Sequence, residues 1–202
     1  MTLDKLVGRY DLNIKGVIHI GANIGQEYPD YEKQGIKNMI FFEPVTSVYA
    51  QLVKNLPNDK HIKTFKLALG DIVEERKIFI ARNKGQSSSL LKPTKHLYYS
   101  PRITFNESEI VKVDKLDNIE FDRRLFNMIV VDVQGYELNV FKGATKTLKS
   151  IDIIYSEINF EELYQDCVLV GELDAYLKKF GFIRILTDDK PKSWGDALYL
   201  KY

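Results

Sequence analysis

Short apolar runs alternate along the chain with stretches whose apolar residues recur at helical spacing. Val17-Ile18-His19-Ile20, Met39-Ile40-Phe41-Phe42, Met128-Ile129-Val130-Val131 and the run over 151–157 are short and nearly continuous, the pattern of strands buried on both faces. Between them, Thr46 reads as the N-cap of a helix through Val48, Leu52 and Val53 that Pro57 stops. Val140, Phe141, Ala144 and Leu148 mark a second helical stripe, and Leu173, Tyr176, Leu177 and Phe180 a third that Gly181 ends. Leu3, Leu6, Val7 and Tyr10 predict an N-terminal helix or arm over residues 1–16, and a short helix should follow Gln26 and close at Gly35. With a strand over 62–69, the β-α-β-α-β alternation predicts a parallel sheet with helices on both faces. Residues 75–80 and 110–113 are further strands. The strand over 196–202 follows the one over 182–186 with no helix between them, so it should run antiparallel.

Two breaks in this pattern carry chemistry. The first strand runs into Gly21-Ala22-Asn23-Ile24-Gly25-Gln26, a small-residue turn on which a ligand can lie against bare main chain. The second ends in Glu43 before Pro44, an acid about twenty residues downstream that can grip a ribose diol. A dinucleotide fingerprint would have glycine where Asn23 stands, so a diphosphate is disfavoured. S-adenosylmethionine, which carries an amino acid, a sulfonium and a nucleoside, needs no such cradle. A tight strand-helix turn without a ligand is the alternative.

The chain has 202 residues, 45% of them hydrophobic, and a formal charge of +1, which predicts a single domain over 1–202 without a global field for nucleic acid or an anionic membrane. One cysteine, Cys167, excludes an intrachain disulfide and a zinc cluster. The first residues mix acid and base, and no apolar run reaches membrane-spanning length, so the cytoplasm is the simplest compartment. One segment, 81–109, departs in character. Arg82, Lys84, Lys92, Lys95 and Arg102 occur with the run Ser87-Ser88-Ser89 and a tyrosine pair, and no acid appears before Glu107. It reads as a basic excursion, either a lid facing a sugar-bearing or anionic substrate or a solvated flap. Five charges are too few for nucleic acid.

The succession GANIGQ, FFEP, LALGD, SSSLL, DKLD, DVQGYELNVFKGA and YSEI resembles the FkbM family of S-adenosylmethionine-dependent methyltransferases from Val17 onward. The resemblance implies a class I methyltransferase (Rossmann-like) α/β fold. Its sheet would be mostly parallel and seven-stranded with an antiparallel last strand, and its usual reaction is O-methylation of sugar or natural-product hydroxyls. Carried over, Gly21, Ala22, Asn23 and Gly25 would surround the methionine portion of the cofactor, and Glu43 would hold the ribose. Ala68, Leu69 and Asp71 would border the adenine, and Asp132 would sit near the cofactor's amino group or the reacting hydroxyl. Family members commonly have DVEG, whereas this chain has Gln134, which cannot take a proton.

An alcohol acceptor benefits from a base, and Asp132, Glu157 and His96 are the candidates, with Glu137 a further acid in a first helical turn. Asp132 with Glu157 could hold Mg²⁺, but neighbouring strand ends supply such pairs anyway, and no metal is expected. His19, inside a strand, reads as a core or crevice histidine. The expected partner is a small-molecule or glycan acceptor, with neither nucleic acid nor membrane. A nicotinamide-dependent oxidoreductase and a non-catalytic binding module, hinted at by Gln134, are the rival readings.

Overall fold

Strand β1 (Gly16–Ile20) is buried at every position and divides the core in two. Side chains alternate across a strand, so Ile18 and Ile20 enter one cluster while Val17 enters the other. The computed structural model describes residues 2–188 and 192–202. Helix α1 (Leu3–Tyr10) precedes β1, and α2 (Tyr28–Lys33), β2 (Asn38–Phe42), α3 (Thr46–Asn55) and β3 (Ile62–Phe65) follow it. Next come β4 (Ala68–Leu69), β5 (Glu74–Ile80), α4 (His96–Tyr99), β6 (Glu107–Asp114), β7 (Met128–Val131) and α5 (Glu137–Lys142). The chain closes with β8 (Ile153–Asn159), α6 (Val170–Lys178), β9 (Phe182–Asp188) and β10 (Trp194–Lys201).

Seven strands form one sheet in the order β3-β2-β1-β7-β8-β10-β9. Pairings from β3 through β8 are parallel, and β10 runs antiparallel to both β8 and β9, as its missing helix predicts. One face packs Ile18, Ile40, Ile129 and Ile154 against Val140, Phe141, Leu173 and Leu177 of α5 and α6. The other packs Val17, Phe41, Met128 and Leu198 against Leu3, Leu6, Tyr31 and Leu52. Each such aliphatic residue contributes about 1.5–3 kcal/mol by leaving water.

Several expectations are corrected. The strand over 62–69 is two strands, because Phe65 stays in the main sheet, stacked on Phe42 at 5.1 Å, while Ala68 and Leu69 pair with Val113 and Asp114. Thus β4, β6 and β5 make a second, three-stranded sheet over the strand ends. Thr46 is the first residue of α3 rather than its cap, and its hydroxyl donates to Glu109. Residues 107–109 of the excursion belong to β6, whose ladder with β5 begins there. The helix through Val140 stops at Lys142 and resumes as a 3-10 turn at Thr147–Ser150. A Cβ at Gly143 would lie 1.9 Å from the Gly70 carbonyl oxygen, so the KGA and LALGD segments touch main chain to main chain.

Candidate active site

All parallel strands point one end at the same edge of the sheet, where the loops leave β1, β2, β7 and β8. The turn after β1 is drawn in by two bonds, Gly21 N and Ala22 N each donating to the Phe42 carbonyl at 3.0 Å. Gly21 has φ +81°, and a Cβ there would lie 1.8 Å from the Asp132 carbonyl oxygen, so only glycine lets the two loops approach. Glu43 is buried beneath this turn and accepts from Asn23 N at 3.0 Å and Val45 N at 2.8 Å. Each of its oxygens keeps a lone pair for a ligand.

Three chambers open along the edge, and Asp132 lines all of them. The first, a cleft with about 530 Å³ of open space, is walled by Gly21, Asn23, Glu43, Ala68, Leu69 and Tyr136. Asn23 is buried, and its Oδ1 has no partner. The second, with about 900 Å³, lies under α1 between His19, Glu27, Tyr155 and Asp196. The third, with about 940 Å³, collects Asp132, Glu157 and His96 with Gln134, Trp194 and Asp196.

Strand register explains the acids. The β8–β10 ladder sets Asp196 opposite Glu157, and β10–β9 sets Asp188 opposite Asp196, which aligns their side chains on one face. Burial is the leading cause that raises each carboxyl: Asp132 to about 6, Glu27 and Glu43 to about 7, Glu157 well above the ordinary carboxylate range, and Asp196 upward. Mutual repulsion adds to this, since Asp132 faces Asp196, and Glu157 faces Asp132, Glu137 and Asp196. Among the described residues, no lysine or arginine lines the second or third chamber. Such a row of carboxyls suits a cationic ligand and polar hydroxyls.

Gln134 is the donor inside this row. Its Nε2 reaches Asp132 Oδ1 at 2.7 Å and the two Glu157 oxygens at 2.9 and 3.0 Å, while its Oε1 accepts from Tyr164 Oη at 2.8 Å. The amide is therefore oriented by its neighbours, and its backbone sits at φ +57°. Glu137 lies outside the chambers. It accepts from Val133 N at 3.3 Å and Gly135 N at 3.0 Å and braces the turn that holds Gln134.

The excursion folds inward over the first and third chambers. Asn23 Nδ2 donates to Lys84 O at 3.0 Å and Ser89 Oγ to Gln134 O at 2.8 Å, while Tyr164 Oη lies 2.9 Å from Ser87 O. Gln86 lines both chambers. The basic side chains turn elsewhere. Arg82 pairs with Glu107 and Lys95 with Glu161 on the surface, and Lys92 borders a separate groove beside Leu97.

Of the residues read from sequence, Gly21, Asn23, Glu43, Ala68, Leu69 and Asp132 share the cleft. Ala22 is buried behind it, and a Cβ on Gly25 would meet Leu52 at 2.8 Å. Asp71 accepts from Asn139 Nδ2 at 3.0 Å and is not part of the cleft lining. Burial lowers His96, whose Nδ1 has no partner, and lowers His19 to about 3. His19 is a buried neutral ring 3.0 Å from Tyr31 Oη. Sequence reasoning missed Glu27, Asp196, Trp194 and Tyr164. The register opposite Glu157 would have found Asp196, but it needs strand pairing that one chain's pattern does not contain.

A 2-O-methyltransferase, NoeI, of Sinorhizobium fredii is 26% identical over 158 residues, 74% of this chain. The alignment spans 65% of that relative, just under two thirds of its length. Among solved structures, magnesium protoporphyrin IX methyltransferase of Synechocystis with bound S-adenosylmethionine superposes with a TM-score of 0.55 at 8% identity, over 98% of this chain and 76% of that one. Sp1610 of Streptococcus pneumoniae, in complex with S-adenosylmethionine, gives 0.54 at 13% identity, over 100% and 73%. These likenesses establish the class I methyltransferase fold. No helix among the described residues is long and apolar enough to cross a membrane. The family described as the methyltransferase FkbM domain matches residues 19–184, so the chain belongs to that family, and its cofactor is S-adenosylmethionine.

Proposed function

We propose that the protein transfers a methyl group to a hydroxyl of a neutral sugar or similar polyhydroxylated molecule. The observation that carries this reading is the lining of the third chamber, where Asp132, Glu157, Asp188, His96 and Gln86 surround Trp194 and no lysine or arginine occurs among the described residues. Carboxylates and amides accept and donate to sugar hydroxyls, and an indole face covers the apolar side of a ring. The name of the Sinorhizobium relative, a 2-O-methyltransferase, points the same way. The inward-facing part of the excursion is polar and uncharged, which favours a neutral acceptor over the anionic one its basic residues suggested.

The cleft fits the cofactor. Gly21 offers bare main chain, Glu43 an acceptor pair for the ribose, Ala68 and Leu69 a flat apolar wall for the base, and Asn23 Oδ1 an unmet acceptor. Bound there, S-adenosylmethionine supplies a methyl group on a sulfonium that leaves as a neutral thioether. The chain's own task is alignment and exclusion of water. Asp132, common to all three chambers and titrating near 6, takes the proton of the acceptor hydroxyl, and Gln134 holds that carboxylate in place.

The test is transfer of labelled methyl from S-adenosylmethionine to a panel of neutral glycosides, uronic acids, sugar phosphates and amines. Label in a neutral glycoside that survives mild alkali, as an ether does and an ester does not, is the expected result. Label confined to carboxylates, phosphates or amines refutes the reading.

A further inference from the structure

The second chamber has a feature that transfer to a sugar hydroxyl does not use. Glu27 follows the glycine turn directly, and its Oε2 is buried without a hydrogen-bond partner while the side chain borders this chamber. Its neighbours there include Asp132, Asp196 and the neutral ring of His19, so nothing cationic answers it among the described lining residues. Asp132 joins the chamber to the cofactor cleft. With an adenosine held between Glu43 and Leu69, Asp132, which lines all three chambers, would leave the amino-acid arm two ways to go. The third chamber presents an indole, amides and hydroxyls suited to the acceptor. The second presents an unmet carboxylate oxygen on the very turn that bounds the cleft.

We infer that Glu27 is the binding residue for the α-ammonium group of the cofactor's methionine arm, which occupies the chamber beneath α1. A charge-assisted bond from the ammonium supplies the partner that Oε2 lacks. It also places a positive charge among carboxyls whose ionised forms burial and mutual repulsion disfavour. Asp30 lines the same chamber, whereas Glu32, exposed on α2, lies outside its lining and serves as the control carboxylate.

The experiment is calorimetric titration of the full chain with three ligands. S-adenosylhomocysteine has the whole arm, its desamino analogue lacks only the ammonium, and 5′-methylthioadenosine lacks the amino-acid group. Glu27→Gln should weaken S-adenosylhomocysteine about tenfold or more while leaving 5′-methylthioadenosine and the desamino analogue within about twofold. Glu27→Asp, which keeps the charge with a shorter reach, should recover part of the loss, and Glu32→Gln, outside the chamber lining, should change nothing. Equal weakening of all three ligands assigns Glu27 to the turn's structure and overturns the inference, as does no weakening at all. A wild-type chain that binds none of them refutes the cofactor itself and the inference with it. Failure of the sugar as acceptor leaves these affinities as they are, so the two readings fail separately.

Discussion

Replacing Glu43 by alanine separates a ligand effect from a folding effect, because its carboxyl serves both. In the folded chain it accepts from Asn23 N and Val45 N, and leaving two buried amides unpaired costs about 2–6 kcal/mol. Against this, burial has raised the carboxyl from 4.5 to about 7, and 2.5 units at 1.36 kcal/mol each means that the ionised group costs about 3 kcal/mol above pH 7. The two largely offset, so the ligand-free variant at pH 8 should melt within about 10 °C of wild type. Cofactor binding has no such offset. Two ribose bonds to a charged acceptor are worth about 3–6 kcal/mol, a loss of a hundredfold or more in affinity. At about 100 Kd, S-adenosylhomocysteine should stabilise the wild type by about 2.7 kcal/mol, or about 5–10 °C by thermal melting. For Glu43→Ala at the same concentration the shift should shrink to about 2 °C or less, while Glu120→Ala, at an exposed site, keeps the full shift. A Glu43→Ala protein that retains the wild-type shift would refute the placement of the ribose.

Gln134→Leu removes the donor shared by Asp132 and Glu157 and should destabilise the chain by about 2–4 kcal/mol in urea, more at pH 8 than at pH 5.5, where the carboxyls are protonated. An equal loss at both values would show that the amide acts only by filling space. Gly143→Ala drives a Cβ into the Gly70 carbonyl oxygen and should cost about 3 kcal/mol or more, read as a melting temperature lower by roughly 6–12 °C. Stability of the ligand-free chain should also fall as pH rises. Glu27, Glu43 and Glu137 titrate near 7 when folded against 4.5 when unfolded, so between these values the native state binds more protons and raising the pH favours unfolding. His19, lowered from 6.5 to about 3, acts oppositely below 6.5, which leaves the decline clearest from about pH 6.5 to 7.5. Melting curves across that interval that rise with pH would contradict the burial of these carboxyls.

The strands at Val17, Met39 and Met128 and the helix at Leu173 were legible because each pattern is local: the periodicity of burial is written into consecutive residues. The glycine turn, Glu43 and Asp132 were legible for the same reason, since each lies at the end of a strand that the pattern locates. The sequence by itself thus determined the strand–helix alternation and the edge at which chemistry collects. What the tertiary structure decided depends on contacts between distant residues. It split the segment over 62–69 between two sheets, because Phe65 found Phe42 while Ala68 found Val113. It turned the basic side chains of the excursion outward and its serines inward, and it withdrew Asp71 to Asn139. Gln134, read from the chain as a residue that can hydrogen-bond but cannot take a proton, donates to two carboxyls that arrive from separate strands. Asp196 joined them through an antiparallel register that fixes which side chains face each other. Local sequence sets which face of an element is buried; pairing and packing energies summed over the whole chain set what that face meets.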